Sequence, residues 1–195
     1  MISSKHNFLY IHTPKTGGNS IQKALIGYSD DEIALLGPHH DGVDRFEISS
    51  PNLRIHKHST LNDYQSQLSS FEFKSLFKAC GVRNPWDRCV SHFFSPHRGA
   101  VQWTPEDFIS FVKATVLPLQ NYCGAFSNID HFIRFEYLQE DFHIFCELAG
   151  LGKLDLAHLN KSTHQSYRAY YKNEESIRLI GELFKEEIEY FNYRF

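Results

Sequence analysis

Apolar residues fall in short blocks whose spacing changes along the chain, and each spacing predicts an element. Residues 7–12 hold the continuous run Phe8-Leu9-Tyr10-Ile11, short and unbroken enough for a buried strand. After a polar loop with two glycines, residues 20–26 place Ile21, Ala24 and Leu25 at helical spacing. The same order returns at residues 76–82, a second core strand that breaks at Arg83-Asn84-Pro85. A helical pattern follows, with Trp86, Val90, Phe93 and Phe94 on one face and Asp87, Arg88 and Ser91 on another.

Between these units, residues 27–54 carry Gly27, Gly37, Pro38, Gly42 and Pro51, which predicts a long irregular or partly helical excursion. Residues 53–56 read as a short strand with His56 and His58 at its end, and Ser59 or Thr60 caps a helix that includes Tyr64 and Leu68. Thr104-Pro105-Glu106-Asp107 starts a helix that runs to about Val116. A strand over 129–135, a helix over 138–148 and a long amphipathic helix over 174–191, using Ile177, Ile180, Phe184 and Ile188, complete the pattern. Strands alternating with helices predict an α/β sandwich with a mainly parallel central sheet flanked by helices. With 195 residues and no internal repeat, one domain over 1–195 is expected.

Composition narrows the function. Hydrophobic residues at 42% and charged residues at 22% fit a globular chain, and a net charge of −3 offers no global attraction to nucleic acid or anionic membrane. Any anion site must therefore be local. No apolar stretch approaches the ~20 residues of a membrane span, and the few residues before the first apolar run leave no room for a signal peptide, so a cytoplasmic location is expected. Cys80, Cys89, Cys123 and Cys146 form no CxxC pair and read as reduced thiols.

The first loop supplies such a local site. A loop from a strand's carboxyl end into a helix offers unpaired backbone N–H groups and the positive end of the helix dipole. Gly17 and Gly18 let the backbone approach a ligand, Lys15 adds a full charge, and Thr16, Asn19 and Ser20 add side-chain donors. The nucleotide signature GxxxxGK[ST] is absent, because here the lysine precedes the glycines. In the second loop, Arg83 can fork onto a phosphate and Ser91 can donate a hydroxyl.

The PKTGGNS loop and the Arg83-Asn84-Pro85-Trp86-Asp87-Arg88-Cys89-Val90-Ser91 segment together resemble the sulfotransferases that use 3′-phosphoadenosine 5′-phosphosulfate (PAPS), in their carbohydrate-type, Golgi-like family 2 branch. The resemblance extends to Lys57-His58-Ser59, to residues 133–138 with Asp141-Phe142, to Leu159-Asn160-Lys161-Ser162 and to the aromatic ending Glu189-Tyr190-Phe191-Asn192-Tyr193. Asn19 stands where the family more often has Thr, and the secretory anchor of animal relatives is not expected here. The resemblance implies a P-loop-like three-layer fold. It also implies a first loop that holds the 5′-phosphosulfate and a second that holds the 3′-phosphate.

Sulfuryl transfer needs positioning, a cation at the leaving phosphate and a base for the attacking hydroxyl, with no metal required. Lys15 is the expected cation and His58 the expected base, with His56 as supporting partner or substitute, in a pattern that resembles the histidine pair of a heparan-modifying branch. Solvated loop residues or a packed strand end are the alternatives for both histidines. The implied acceptor is a hydroxyl-bearing small molecule or carbohydrate, with no nucleic-acid partner. His39-His40-Asp41 reads as a solvated loop or a substrate or metal contact, Trp86 as core or an adenine platform, and Lys161, Tyr167 and Arg168 as surface or ligand contacts. The competing functions are a P-loop-like nucleotide kinase or hydrolase and a non-catalytic nucleotide-binding protein.

Overall fold

The computed structural model describes residues 1–36, 45–95, 98–99, 101–157 and 165–195. Two compact units share the chain: Met1–Val82 with Gln120–Asn160, and Arg83–Leu119 with Lys161–Phe195. The first unit contains β1 (Ile2–Ser3), β2 (Phe8–Ile11), α1 (Gly18–Leu25), β3 (Glu32–Leu36), β4 (Arg45–Ser49), α2 (Leu61–Gln65), α3 (Ser70–Ser75) and β5 (Phe77–Val82). The second takes α4 (Pro85–Phe93) and α5 (Pro105–Thr115), the first resumes with α6 (Gln120–Cys123), β6 (His131–Arg134) and α7 (Leu138–Leu148), and the second ends with α8 (Glu174–Leu183) and α9 (Lys185–Phe191).

In the first unit a four-stranded sheet runs β1-β2-β5-β6. β2, β5 and β6 are parallel, with Phe8 opposite Phe77 and Ala79 opposite His131, while β1 pairs antiparallel with β2. The sheet is therefore mixed, its predicted parallel part extended by an edge strand too short to show periodicity. Every residue of β2 is buried, as its unbroken apolar run requires. The helices α1 and α7 flank the sheet with buried Ile21 and Leu25, and with Phe142 and Phe145. Phe145 meets Phe8 edge-on at 5.4 Å and stacks on Phe77 at 6.1 Å. The buried Asp141 carboxylate accepts from the Arg134 backbone N–H at 2.9 Å and from its guanidinium at 2.7 and 2.8 Å, which clamps the end of β6 to the start of α7.

Several expectations change. The excursion 27–54 contains the antiparallel hairpin of β3 and β4 in place of irregular or helical chain. Its alternation, with Ile48 buried between exposed Glu47 and Ser49, is the period of a strand. His39-His40-Asp41 lies outside the described residues. Residues 53–56 form no strand, because Ile55 donates its N–H to the Leu53 carbonyl and His56 donates to Ser59 Oγ at 2.9 Å. Thr60, rather than Ser59, caps α2 in a capping box with Asp63; the helix ends at Gln65, short of Leu68, and Ser69 with Glu72 starts α3. The long helix over 174–191 divides at Phe184, which turns into the core.

Asn84 caps α4 through a bond from the Trp86 N–H, with Pro85 in the first helical position. α4 is buried on nearly every side, so its polar face is internal too. Trp86 belongs to the core of the second unit with Val90, Phe93, Phe108, Ile180 and Phe184, and its indole donates to the Ile177 carbonyl at 3.0 Å. Arg88, expected on a polar face, is buried against Glu187 at 2.9 Å and lies over the Phe184 ring. Burial pushes the Glu187 carboxyl upward, against the pull of Arg88. Arg88 Nε and Glu187 Oε2 have no hydrogen-bond partner among the described residues. Removing either partner alone is expected to cost about 3–5 kcal/mol in urea unfolding, whereas Arg88→Met combined with Glu187→Leu should restore most of that stability.

Candidate active site

The chain leaving β2 stays buried through His12 and Thr13 before it emerges at Pro14 and Lys15. Thr13 Oγ1 lies 3.4 Å from Cys80 Sγ on β5, and the buried Thr16 hydroxyl donates to the Thr13 carbonyl at 2.8 Å. Thr16 thus closes the loop on itself. Lys15 adopts φ +69° and Gly17 φ +81°, so two left-handed residues turn the backbone within three positions. That conformation costs a lysine, which has a Cβ, but not a glycine.

Gly17 is also the N-cap of α1, and it makes no side-chain cap bond. No acidic residue stands in the first turn, whereas α2, α3, α4, α5 and α8 each have a side-chain cap and an acidic first turn. The opening N–H groups of a helix have no intrahelical acceptor, so the α1 start carries the positive end of its dipole without a side-chain acceptor of its own. Half-buried Lys15 and Asn19 and buried Ser20 surround it.

Beneath this loop lies a residue that the motif reading passed over. The ring edge of His12, Cδ2 and Nε2, occupies the space a side chain at position 18 would need, so only glycine fits there. His12 Nδ1 is buried with no hydrogen-bond partner among the described residues. Burial holds the imidazole well below its ordinary range, reinforced by His58, Lys57, the amino terminus and Lys15. It is therefore neutral. The signal was present in the sequence: two residues past Tyr10, His12 shares that residue's face of the strand, and the two rings stack at 6.4 Å.

His58 joins the loop through this residue. Its ring centroid lies 4.6 Å from that of His12, and its Nδ1 lies 3.0 Å from the His12 carbonyl oxygen. A carbonyl only accepts, so Nδ1 carries the proton and Nε2 keeps a lone pair. Burial first, then Lys57 and His56, lower the His58 pKa, opposed by the His12 carbonyl and Glu47. His56 is exposed and accepts the His58 backbone N–H on Nδ1 at 3.2 Å, so it shapes the turn. Of the expected histidine pair, the fold brings His58 to the loop.

In the second unit, Arg83 is buried and donates from Nε to Asp87 at 2.8 Å, which fixes the plane of its guanidinium. Ser91 is buried on α4. Arg168 lies over the Tyr167 and Phe195 rings, and Leu159-Asn160-Lys161-Ser162 falls outside the described residues. No disulfide joins the four buried cysteines. Among the described residues there is no group of three or more His, Cys, Asp or Glu arranged for a metal, and no helix is long and apolar enough to cross a membrane.

A sequence model of the sulfotransferase family matches residues 1–194. The chain belongs to the sulfotransferase family. No curated protein and no solved structure matches it. Membership makes it a sulfotransferase enzyme and implies a sulfonate donor and a hydroxyl-bearing acceptor. In this sulfotransferase the uncapped start of α1, the left-handed Lys15 and the Nε2 lone pair of His58 belong to one unit.

Proposed function

We propose that residues 1–195 act as a single PAPS-dependent sulfotransferase domain, moving a sulfuryl group to the hydroxyl of a carbohydrate or other small metabolite. The observation that carries this reading is the start of α1, which lacks both an internal cap and an acidic residue and has Lys15 beside it. The loop stays this tight because positions 17 and 18 have no room for a side chain, which would meet Leu138 and Phe135 at the first and the His12 ring at the second. PAPS, when bound, supplies the sulfuryl group on a phosphosulfate anhydride.

The N–H groups of Gly17, Gly18 and Asn19, with Ser20, hold the 5′-phosphosulfate, and Thr16 keeps the loop closed around it. Lys15 neutralises charge on the departing phosphate oxygen. His58 takes the acceptor's proton on Nε2, with His56 supporting its turn. Arg83 and Ser91 bind the 3′-phosphate, the guanidinium plane being set by Asp87.

Calorimetric titration with 3′-phosphoadenosine 5′-phosphate in EDTA tests the donor assignment. Wild type should bind, Arg83→Ala should weaken binding by about 1.5–3 kcal/mol, and Arg83→Lys should recover only part, since it keeps charge but loses the fork. A preference for ATP with magnesium would turn the reading toward a kinase or hydrolase. Tight binding with no transfer to any hydroxyl compound would turn it toward a non-catalytic nucleotide binder.

A further inference from the structure

We propose that the His12 side chain is a positioning residue that references the base and the anion cradle to one rigid ring. The inference rests on the reading of His58 as the base. A buried imidazole retained for the fold alone is expected to use its nitrogens, since buried polar groups are almost always hydrogen-bonded. His12 Nδ1 has no partner among the described residues, so hydrogen bonding through that atom does not explain the histidine. What its ring does make is contact on three sides. One face stacks toward Tyr10 of β2, the Cδ2–Nε2 edge lies against Gly18 at the start of α1, and the His58 ring packs 4.6 Å away.

These contacts have a geometric consequence. The anion cradle begins at Gly17 and Gly18, and the base is carried on a separate turn that contributes no strand to the sheet. His12 touches both. Its carbonyl receives His58 Nδ1–H and so selects the tautomer, while its buried side chain packs against the ring of the base. The charged or titratable groups bearing on His58 are Lys57 and His56 of its own turn and Glu47 of β4, besides His12 itself. Without the ring, the base would lose the surface that fixes its plane while the tautomer-selecting carbonyl stayed in place. The neutrality of His12 suits this role, because an imidazolium at this point would repel both the protonating base and Lys15.

The test uses the full chain and three variants: His12→Ala, which removes the ring, His12→Leu, which refills much of its volume without nitrogen, and His58→Ala. Nitrogen-detected NMR of the imidazoles reads the tautomer and titration of His58 without any assay of turnover. Calorimetry with 3′-phosphoadenosine 5′-phosphate reads the cradle, and radiolabelled transfer from PAPS to a monosaccharide panel reads chemistry. In His12→Ala the His58 midpoint should rise toward its ordinary value, and turnover should fall about a hundredfold, the scale of a misplacement near 1 Å, a larger loss than that in nucleotide affinity. His12→Leu should keep the lowered midpoint and recover part of the turnover. Unchanged His58 titration and turnover in His12→Ala would overturn the proposal, as would a His12→Leu variant as impaired as His12→Ala. Full turnover in His58→Ala would instead remove the base assignment, while leaving the NMR comparison able to show whether His12 orders that ring.

Discussion

Replacing Lys15 by alanine is expected to lower sulfuryl transfer by at least a hundredfold, about 3 kcal/mol of transition-state stabilisation, without unfolding the chain. The lysine is half-exposed at the loop and adopts φ +69°, a backbone conformation that stabilises no residue with a Cβ. Lys15→Gly separates the two roles. It should abolish transfer as fully as alanine does and yet raise stability by about 1 kcal/mol, because the strained position is relieved. Radiolabelled transfer from PAPS paired with urea unfolding measures both. Turnover near that of wild type in Lys15→Ala would end the assignment of Lys15 to the leaving group.

The second large effect is steric. Gly18→Ala would set a methyl group inside the His12 ring, which cannot retreat easily because Tyr10 stacks on it and His58 packs beside it. A loss of about 3 kcal/mol in unfolding free energy is expected, at the upper end for overpacking, together with weakened binding of 3′-phosphoadenosine 5′-phosphate. In a double-mutant cycle, adding His12→Ala should cost less than the sum of the two single changes, since the cavity of one receives the methyl of the other. Strict additivity would mean that ring and glycine do not press on each other.

Both substitutions fall in the part of the fold that was most legible beforehand. An unbroken apolar run followed by PKTGGNS reports a strand, a tight loop and a helix start, because each of those states has its own local requirement: burial on both faces, freedom at φ, and a first turn without acids. The segment after Val82 reads equally well, since Asn84 and Pro85 are a cap and a first helical residue by chemistry alone. The hairpin of β3 and β4 was hidden by the surrounding glycines and prolines, which look like loop until the alternation of Glu47, Ile48 and Ser49 is weighed. The division at Phe184 could not be read from spacing, because the apolar period continues across it while the backbone does not.

The candidate site divides along similar lines. Lysine, glycines and arginine advertise themselves by type and order, so Lys15, Gly17, Gly18 and Arg83 were visible in one dimension. His58 was expected at a strand end, yet Ser59 Oγ captures the His56 N–H and the segment becomes a turn. His12 was overlooked because its place depends on three contacts from three parts of the chain, and a histidine between an apolar run and a proline has no motif of its own. The ion pair of Arg88 and Glu187 was invisible for the same reason, its partners standing 99 positions apart.

On the proposed reading, the bare start of α1 would also link folding to supply. The other helices with side-chain caps carry their own first-turn acceptors, each worth about 1 kcal/mol, and α1 does not. An anion bound at Gly17 would act as the missing cap, and because only the folded chain offers that place, occupancy would add to stability: about 2.7 kcal/mol when the ligand stands at a hundred times its dissociation constant. The concentration of the sulfuryl donor would then set how long this helix stays wound, as well as how fast the enzyme turns over.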